Sequence, residues 1–232
     1  MTELAPTLPE RIKVVQDRFH QACEAANRDP SEVTLLAVSK RKPTSDIRLA
    51  WELGLTQFGE SYVQEWQNKR EELEDLEQDG LQWHIIGHLQ RNKCKYIAGN
   101  VSLIHSVDSL SLLKELNKRT PEGSQQSVLL QFNVGHEDSK SGFVTLEDAK
   151  EALQQEWPRL SIEGLMTLPP YMAAPEEVRP FFRQISQWRE ELQQEFGVAL
   201  PHLSMGMSHD MEVAIAEGST CVRIGTAIFG NR

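Results

Sequence analysis

The sequence contains no apolar run long enough to cross a bilayer, which takes about 20 residues. Its first residues, Met1-Thr2-Glu3-Leu4, lack a basic segment leading into an apolar core, so neither a signal peptide nor a membrane association is expected. Cysteine is scarce. Cys23, Cys94 and Cys221 stand alone, with no CxxC pair to suggest zinc, and their odd number suits a reducing cytoplasm better than a disulfide framework. Basic residues are outnumbered, 24 against 34 acidic ones, for a formal net charge of -10. That excludes a general nucleic-acid binder, whose affinity comes from clustered cations on phosphates. A small basic pocket for one anionic ligand stays open. No low-complexity linker divides the chain, and residues 1–232 are expected to form one domain.

What is present is alternation. Thr7 and Glu10 have capping-box spacing, Pro9 lies in the first turn, and Ile12, Val15, Phe19 and Cys23 recur on one helical face. An apolar run, Thr34–Ser39, then reads as a strand buried on both faces. Similar short runs follow at Gln57–Gly59, Trp83–Ile86, Leu103–Ser106, Val128–Asn133, Ile162–Met166, His202–Met205 and Cys221–Gly225. Nearly all are separated by helical segments, the clearest placing Phe181, Ile185, Trp188 and Leu192 on one face. Eight strands alternating with helices imply a parallel sheet, and that number suggests closure into a (β/α)8 TIM-type barrel with an extra N-terminal helix. A doubly wound open sheet is the competing α/β arrangement.

In such barrels the site forms where the strands end. Lys40 directly follows the first run. Partial desolvation there lowers a lysine's pKa and frees the amine that attacks an aldehyde; the plain alternative is a solvated lysine in an Arg-Lys-Pro loop. Gly225, Thr226 and Gly230 flank a short helix start, where free backbone N–H groups and a hydroxyl bind phosphate. The preceding loop, Ser204-Met205-Gly206-Met207-Ser208, offers further hydroxyls. Ser208 reads equally well as the N-cap of the helix containing Val213 and Ile215. His84 and His88 have H-x-x-x-H spacing, but with one in a strand and the other beyond Gly87 no metal ligation is expected. No G-x-S-x-G elbow suggests hydrolysis. The acidic stretch Glu71–Glu77 reads as one solvated helix face.

Several segments agree in order and spacing with a known family: Ala37-Val38-Ser39-Lys40, Phe58-Gly59-Glu60-Ser61-Tyr62-Val63-Gln64-Glu65, Trp83–Lys93, Gly164-Leu165-Met166, Leu203–Ser208 and Val222-Arg223-Ile224-Gly225. From about Pro9 onward the chain resembles the YggS/PROSC-type pyridoxal phosphate homeostasis proteins, themselves similar to the N-terminal barrel domain of alanine racemase. The resemblance implies pyridoxal 5'-phosphate (PLP) as cofactor, joined to Lys40 as an internal aldimine. It implies phosphate contacts at Ser208, Gly225 and Thr226 with Ser204 nearby, and Arg223 facing the pyridine nitrogen. An arginine there leaves the nitrogen unprotonated and weakens the cofactor as an electron sink. One departure is Ser61, where family members often carry asparagine; the shorter side chain puts any contact made by that amide in question.

The resemblance further implies a role in intracellular vitamin B6 homeostasis, with PLP-dependent apoenzymes as recipients. The alternative is a PLP-dependent amino-acid racemase. Racemisation needs two acid–base groups on opposite faces. Alanine racemase takes its second, a tyrosine, from a further domain of the partner subunit, a domain not expected here. None of Tyr62, Tyr96 and Tyr171 is marked by the sequence for that role, so little catalytic turnover is expected, a weak racemase-like activity at most.

Overall fold

The computed structural model describes residues 5–137 and 140–230. Helix α1 (Leu8–Ala25) opens with the expected capping box, the Glu10 carboxylate accepting from both N–H and hydroxyl of Thr7. It buries Leu8, Ile12, Val15, Phe19, Ala22 and Cys23. Then follow β1 (Thr34–Val38), α2 (Thr44–Glu52), β2 (Gln57–Glu60), α3 (Val63–Glu72), α4 (Glu74–Gln78), β3 (Gln82–Ile85), α5 (Cys94–Ile97) and β4 (Leu103–Val107). The second half runs α6 (Leu110–Arg119), β5 (Gln126–Phe132), α7 (Leu146–Gln154), β6 (Leu160–Thr167), α8 (Arg179–Phe196), β7 (His202–Met207), α9 (Met211–Ala216), β8 (Cys221–Ile224) and α10 (Thr226–Phe229).

The strands form a closed parallel barrel in chain order, and β8 returns to β1 with Thr34 beside Cys221 and Ala37 beside Ile224. Closure excludes the open doubly wound sheet. All eight expected strands are present, shifted at their ends by one or two residues. Helix α8 carries the expected apolar stripe, but its fully buried members are Phe182, Ile185 and Leu192, with Phe181 and Trp188 only partly covered. The acidic stretch is not one helix face. Leu73 and Leu76 are buried, and the chain breaks at Leu73 between α3 and α4, which turns the carboxylates outward in two groups.

Two glycines bring the strand ends close enough to make a site. A Cβ on Gly87 would lie 2.3 Å from the Ser61 carbonyl oxygen, so the loops after β2 and β3 touch only because Gly87 has none. Gly206, at φ +94°, would place a Cβ 2.4 Å from that of Ala214, and its absence lets α9 pack directly on β7.

Candidate functional site

Lys40 lies two residues beyond β1, half-buried, where three cavities of about 370, 450 and 560 Å³ adjoin. The 370 Å³ cavity is the one shared with the loops after β7 and β8: Lys40, Ser208, Arg223, Gly225 and Thr226 all line it. Thus five of the six residues singled out by sequence come together from the ends of β1, β7 and β8. Ser204 does not line this cavity. It lies wholly buried within β7, and its hydroxyl accepts from Arg223 Nη1 at 2.6 Å.

The loops after β7 and β8 form a small cup. The Ser208 and Thr226 hydroxyls are 3.4 Å apart, and Ala227 N donates toward Ser208 Oγ at 3.5 Å. Ser208 is not a helix cap: α9 begins at Met211, and Asp210 Oδ1 accepts from Met207 N at 2.6 Å to turn the chain. Behind the cup, α1 pins both loops. Arg11 Nε donates to Ile228 O at 2.7 Å, and Arg18 Nη2 to Ser208 O at 3.3 Å.

Arg223 reaches the cavity from inside the barrel. It is buried, with Nη1 on Ser204 and Nη2 donating to Thr167 O at 2.8 Å. Burial draws its guanidinium below the ordinary value, opposed by Cys221 and by the buried Asp210. An arginine so placed remains a cation and adds a fixed positive charge to a wall that also carries Lys40, Lys42 and His209.

The segment carrying Lys40 is fixed from the other side by a charged cluster centred on Lys69, a residue not singled out by sequence. Lys69, on α3, donates to Glu60 Oε1 at 2.8 Å, to Glu65 Oε1 at 2.7 Å and to Ser39 O at 2.8 Å. Ser39 Oγ donates to Glu60 Oε1 at 2.6 Å, and Glu65 also accepts from Arg41 N. Both neighbours of Lys40 are therefore held. Arg41 adopts φ 61°, a left-handed conformation costly for a residue with a Cβ. Its guanidinium carbon sits 5.4 Å from the Tyr62 ring centroid. Burial pushes the Glu60 carboxyl above its usual range, against the pull of Lys69 and Ser39.

The sequence reading also missed aromatic groups at the mouth. Tyr171 and His209 line the 370 Å³ cavity with rings 5.4 Å apart. His84 and His88 are separated as expected: His84 points into the barrel, whereas His88 is exposed on the rim with Nδ1 3.0 Å from Asp108 Oδ2. Among the described residues no group of three or more His, Cys, Asp or Glu side chains is placed to hold a metal, and no helix is long and apolar enough to cross a membrane.

Comparison with known proteins then places the molecule. The family model described as alanine racemase, N-terminal domain, matches residues 15–232. The chain belongs to that family. A protein of Aquifex aeolicus (strain VF5) named pyridoxal phosphate homeostasis protein is 50% identical over 226 residues, covering 96% of this chain and 97% of that one. The Escherichia coli (strain K12) protein of the same name is 43% identical over 239 residues, covering 100% and 98%. Among solved structures, PipY of Synechococcus elongatus PCC7942 with PLP bound superposes with a TM-score of 0.83 at 34% identity, covering 97% of this chain and all of that one.

Proposed function

We propose that this protein binds pyridoxal 5'-phosphate covalently through Lys40 and acts in intracellular vitamin B6 homeostasis, holding the cofactor and passing it to apoenzymes that require it. The observation that carries the reading is the convergence of Lys40, Arg223, Ser208, Gly225 and Thr226 on one cavity. PLP asks for an amine, an anion cup and a partner for its ring nitrogen, and the residues present fit all three. Its aldehyde condenses with an amine, and its ring, when bound, withdraws electrons from what is attached.

Lys40 supplies the amine from a segment fixed on both sides. Ser208 and Thr226 offer hydroxyls, and Gly225 lets the backbone approach the phosphate closely. Arg223 holds a permanent positive charge toward the ring nitrogen, which keeps a proton off it and mutes the electron sink. Ser204 contributes through Arg223. A cavity open to solvent suits exchange of the ligand better than chemistry that must exclude water. The three buried, unpaired cysteines accord with a reducing cytoplasm.

Amino-acid racemisation is the second reading, favoured by one observation: Tyr171 stands on the cavity wall. At 77% exposed it is poorly protected for a proton shuttle. Interconversion of enantiomers by pure protein, lost on Tyr171→Phe, would establish that reading.

The deciding test is spectroscopic. Purified protein loaded with PLP should be yellow, and borohydride should fix the label on the Lys40 peptide by mass spectrometry. Lys40→Ala should show neither. A wild type that remains colourless with excess PLP removes the proposal.

A further inference from the structure

The barrel interior contains a polar chain that the cavity-lining residues do not explain. His84 Nδ1 lies 2.9 Å from His105 Nε2, and His105 Nδ1 lies 2.8 Å from Ser204 Oγ. Ser204 Oγ in turn accepts from Arg223 Nη1 at 2.6 Å. The four side chains come from β3, β4, β7 and β8, so the His105–Ser204 bond spans the barrel between strands that are not neighbours. All four are nearly or wholly inaccessible to solvent. Two imidazoles in an interior this size would more cheaply be apolar, since buried polar groups must be fully paired. His84 Nε2 is in fact left without a hydrogen-bond partner among the described residues.

The geometry constrains the protons. Two ring nitrogens 2.9 Å apart make a hydrogen bond only if one of them is bare. A neutral His105 therefore either accepts at Nε2 from His84 Nδ1–H and donates from Nδ1 to Ser204 Oγ, or donates from Nε2 to a bare His84 Nδ1 and accepts at Nδ1 from the Ser204 hydroxyl. A doubly protonated His105 would face a bare nitrogen of His84 on one side and the Arg223 cation beyond Ser204 on the other. Burial acts in the same direction, holding both rings in the neutral form. The chain is thus an uncharged strut with a cation at its end.

We propose that His105 is a positioning residue for Arg223: through Ser204, and braced by His84, it fixes the guanidinium at the cavity wall. The inference rests on the PLP reading only for what Arg223 meets there; the strut itself is a property of the protein without ligand. It assigns Ser204 to the arginine's support and makes three residues outside the cavity determine how the ring nitrogen is held.

Two substitutions of similar size and polarity separate the ends of the strut. In His105→Asn the short amide can replace Nδ1 toward Ser204 but cannot reach His84. In His105→Gln the longer amide can replace Nε2 toward His84 but leaves Ser204. The first readout is the Arg223 guanidinium N–H signals by 15N NMR in cofactor-free protein. Wild type should show slow hydrogen exchange, His105→Gln exchange about tenfold faster, the factor that one lost hydrogen bond gives, and His105→Asn, which loses only the brace, a smaller acceleration between the two. The second readout is the absorption band of PLP-loaded protein, which should move most in His105→Gln and less in His105→Asn. Equal exchange and equal bands in both variants and wild type overturn the proposal. Should neither histidine variant fold, Ser204→Thr and Ser204→Ala carry the same comparison, the threonine keeping and the alanine losing slow exchange; no difference between them overturns it equally. If wild type takes up no PLP, the exchange readout still judges the strut while the PLP reading fails alone.

Discussion

Lys40 and Arg223, two of the cationic residues on the cavity wall, are supported in opposite ways. Behind Lys40 stands a charged cluster, in which Lys69 bridges Glu60 and Glu65 and donates to Ser39 O, while Glu65 accepts from Arg41 N. Behind Arg223 stands the neutral row of His84, His105 and Ser204. The difference follows from what each must do. On the proposed reading Lys40 reacts as an amine and has to keep access to a neutral form, and the cluster holds the backbone on either side of it. An arginine that never loses its proton needs orientation instead, and a hydroxyl backed by neutral rings supplies it without pairing off the charge.

The comparison breaks most sharply at Lys69. Lys69→Met should remove one partner of a buried ion pair and leave Glu60 and Glu65 facing each other, a loss of about 3–5 kcal/mol. Urea denaturation at neutral pH measures it, and a loss below about 1 kcal/mol would mean that the cluster is not a brace.

Acid separates the two supports next. The His84 imidazole is depressed by burial to about 3 from the usual 6.5. The unfolded chain therefore takes a proton near 6.5 that the folded chain refuses, and stability contributed by the neutral ring is complete above that pH and lost on acidification. At pH 5 the loss from His84 alone is about 2 kcal/mol. Glu60 has the reverse sign, because a raised carboxyl favours the folded state at low pH and loses that contribution as pH rises through its folded value. Melting temperatures followed from pH 7.5 to 5 should fall steeply in wild type and more gently in His84→Phe. Parallel curves would show that His84 does not titrate as a buried ring.

The smallest effect is expected at Ser61, which lines all three cavities between the two supports. Ser61→Asn should alter stability by no more than about 0.5 kcal/mol in a thermal melt. A larger change would make its side chain part of one brace.

Much of this was legible in the linear sequence. The eight strands could be read because a parallel barrel buries both faces of each, which leaves short apolar runs between longer periodic segments. Lys40, Ser208, Arg223, Gly225 and Thr226 could be placed because the ends of those runs converge by construction. The supports could not. His105 and Ser204 are 99 positions apart, and their meeting depends on which face of each strand turns inward and on how far neighbouring strands are staggered. Local pattern carries neither quantity. Lys69 was hidden for a different reason: it continues the buried stripe of Val63 and Trp66, and local pattern does not show that a lysine there ends on two carboxylates rather than in solvent. The cap alternative for Ser208 is excluded by Asp210, two residues on, which turns the chain into α9, and a bond at that range could not be separated from a cap by local pattern.

Closure of the ring also imposes an order in time. Strand β1 gains its second neighbour only when Cys221–Ile224 has been made, so Lys40 waits on the ribosome beside an unfinished edge while nearly the whole chain is synthesised. Arg223 arrives with the strand that seals the gap. The cavity is lined from β1 and β8 together, and therefore cannot form before the strand that closes the barrel is in place.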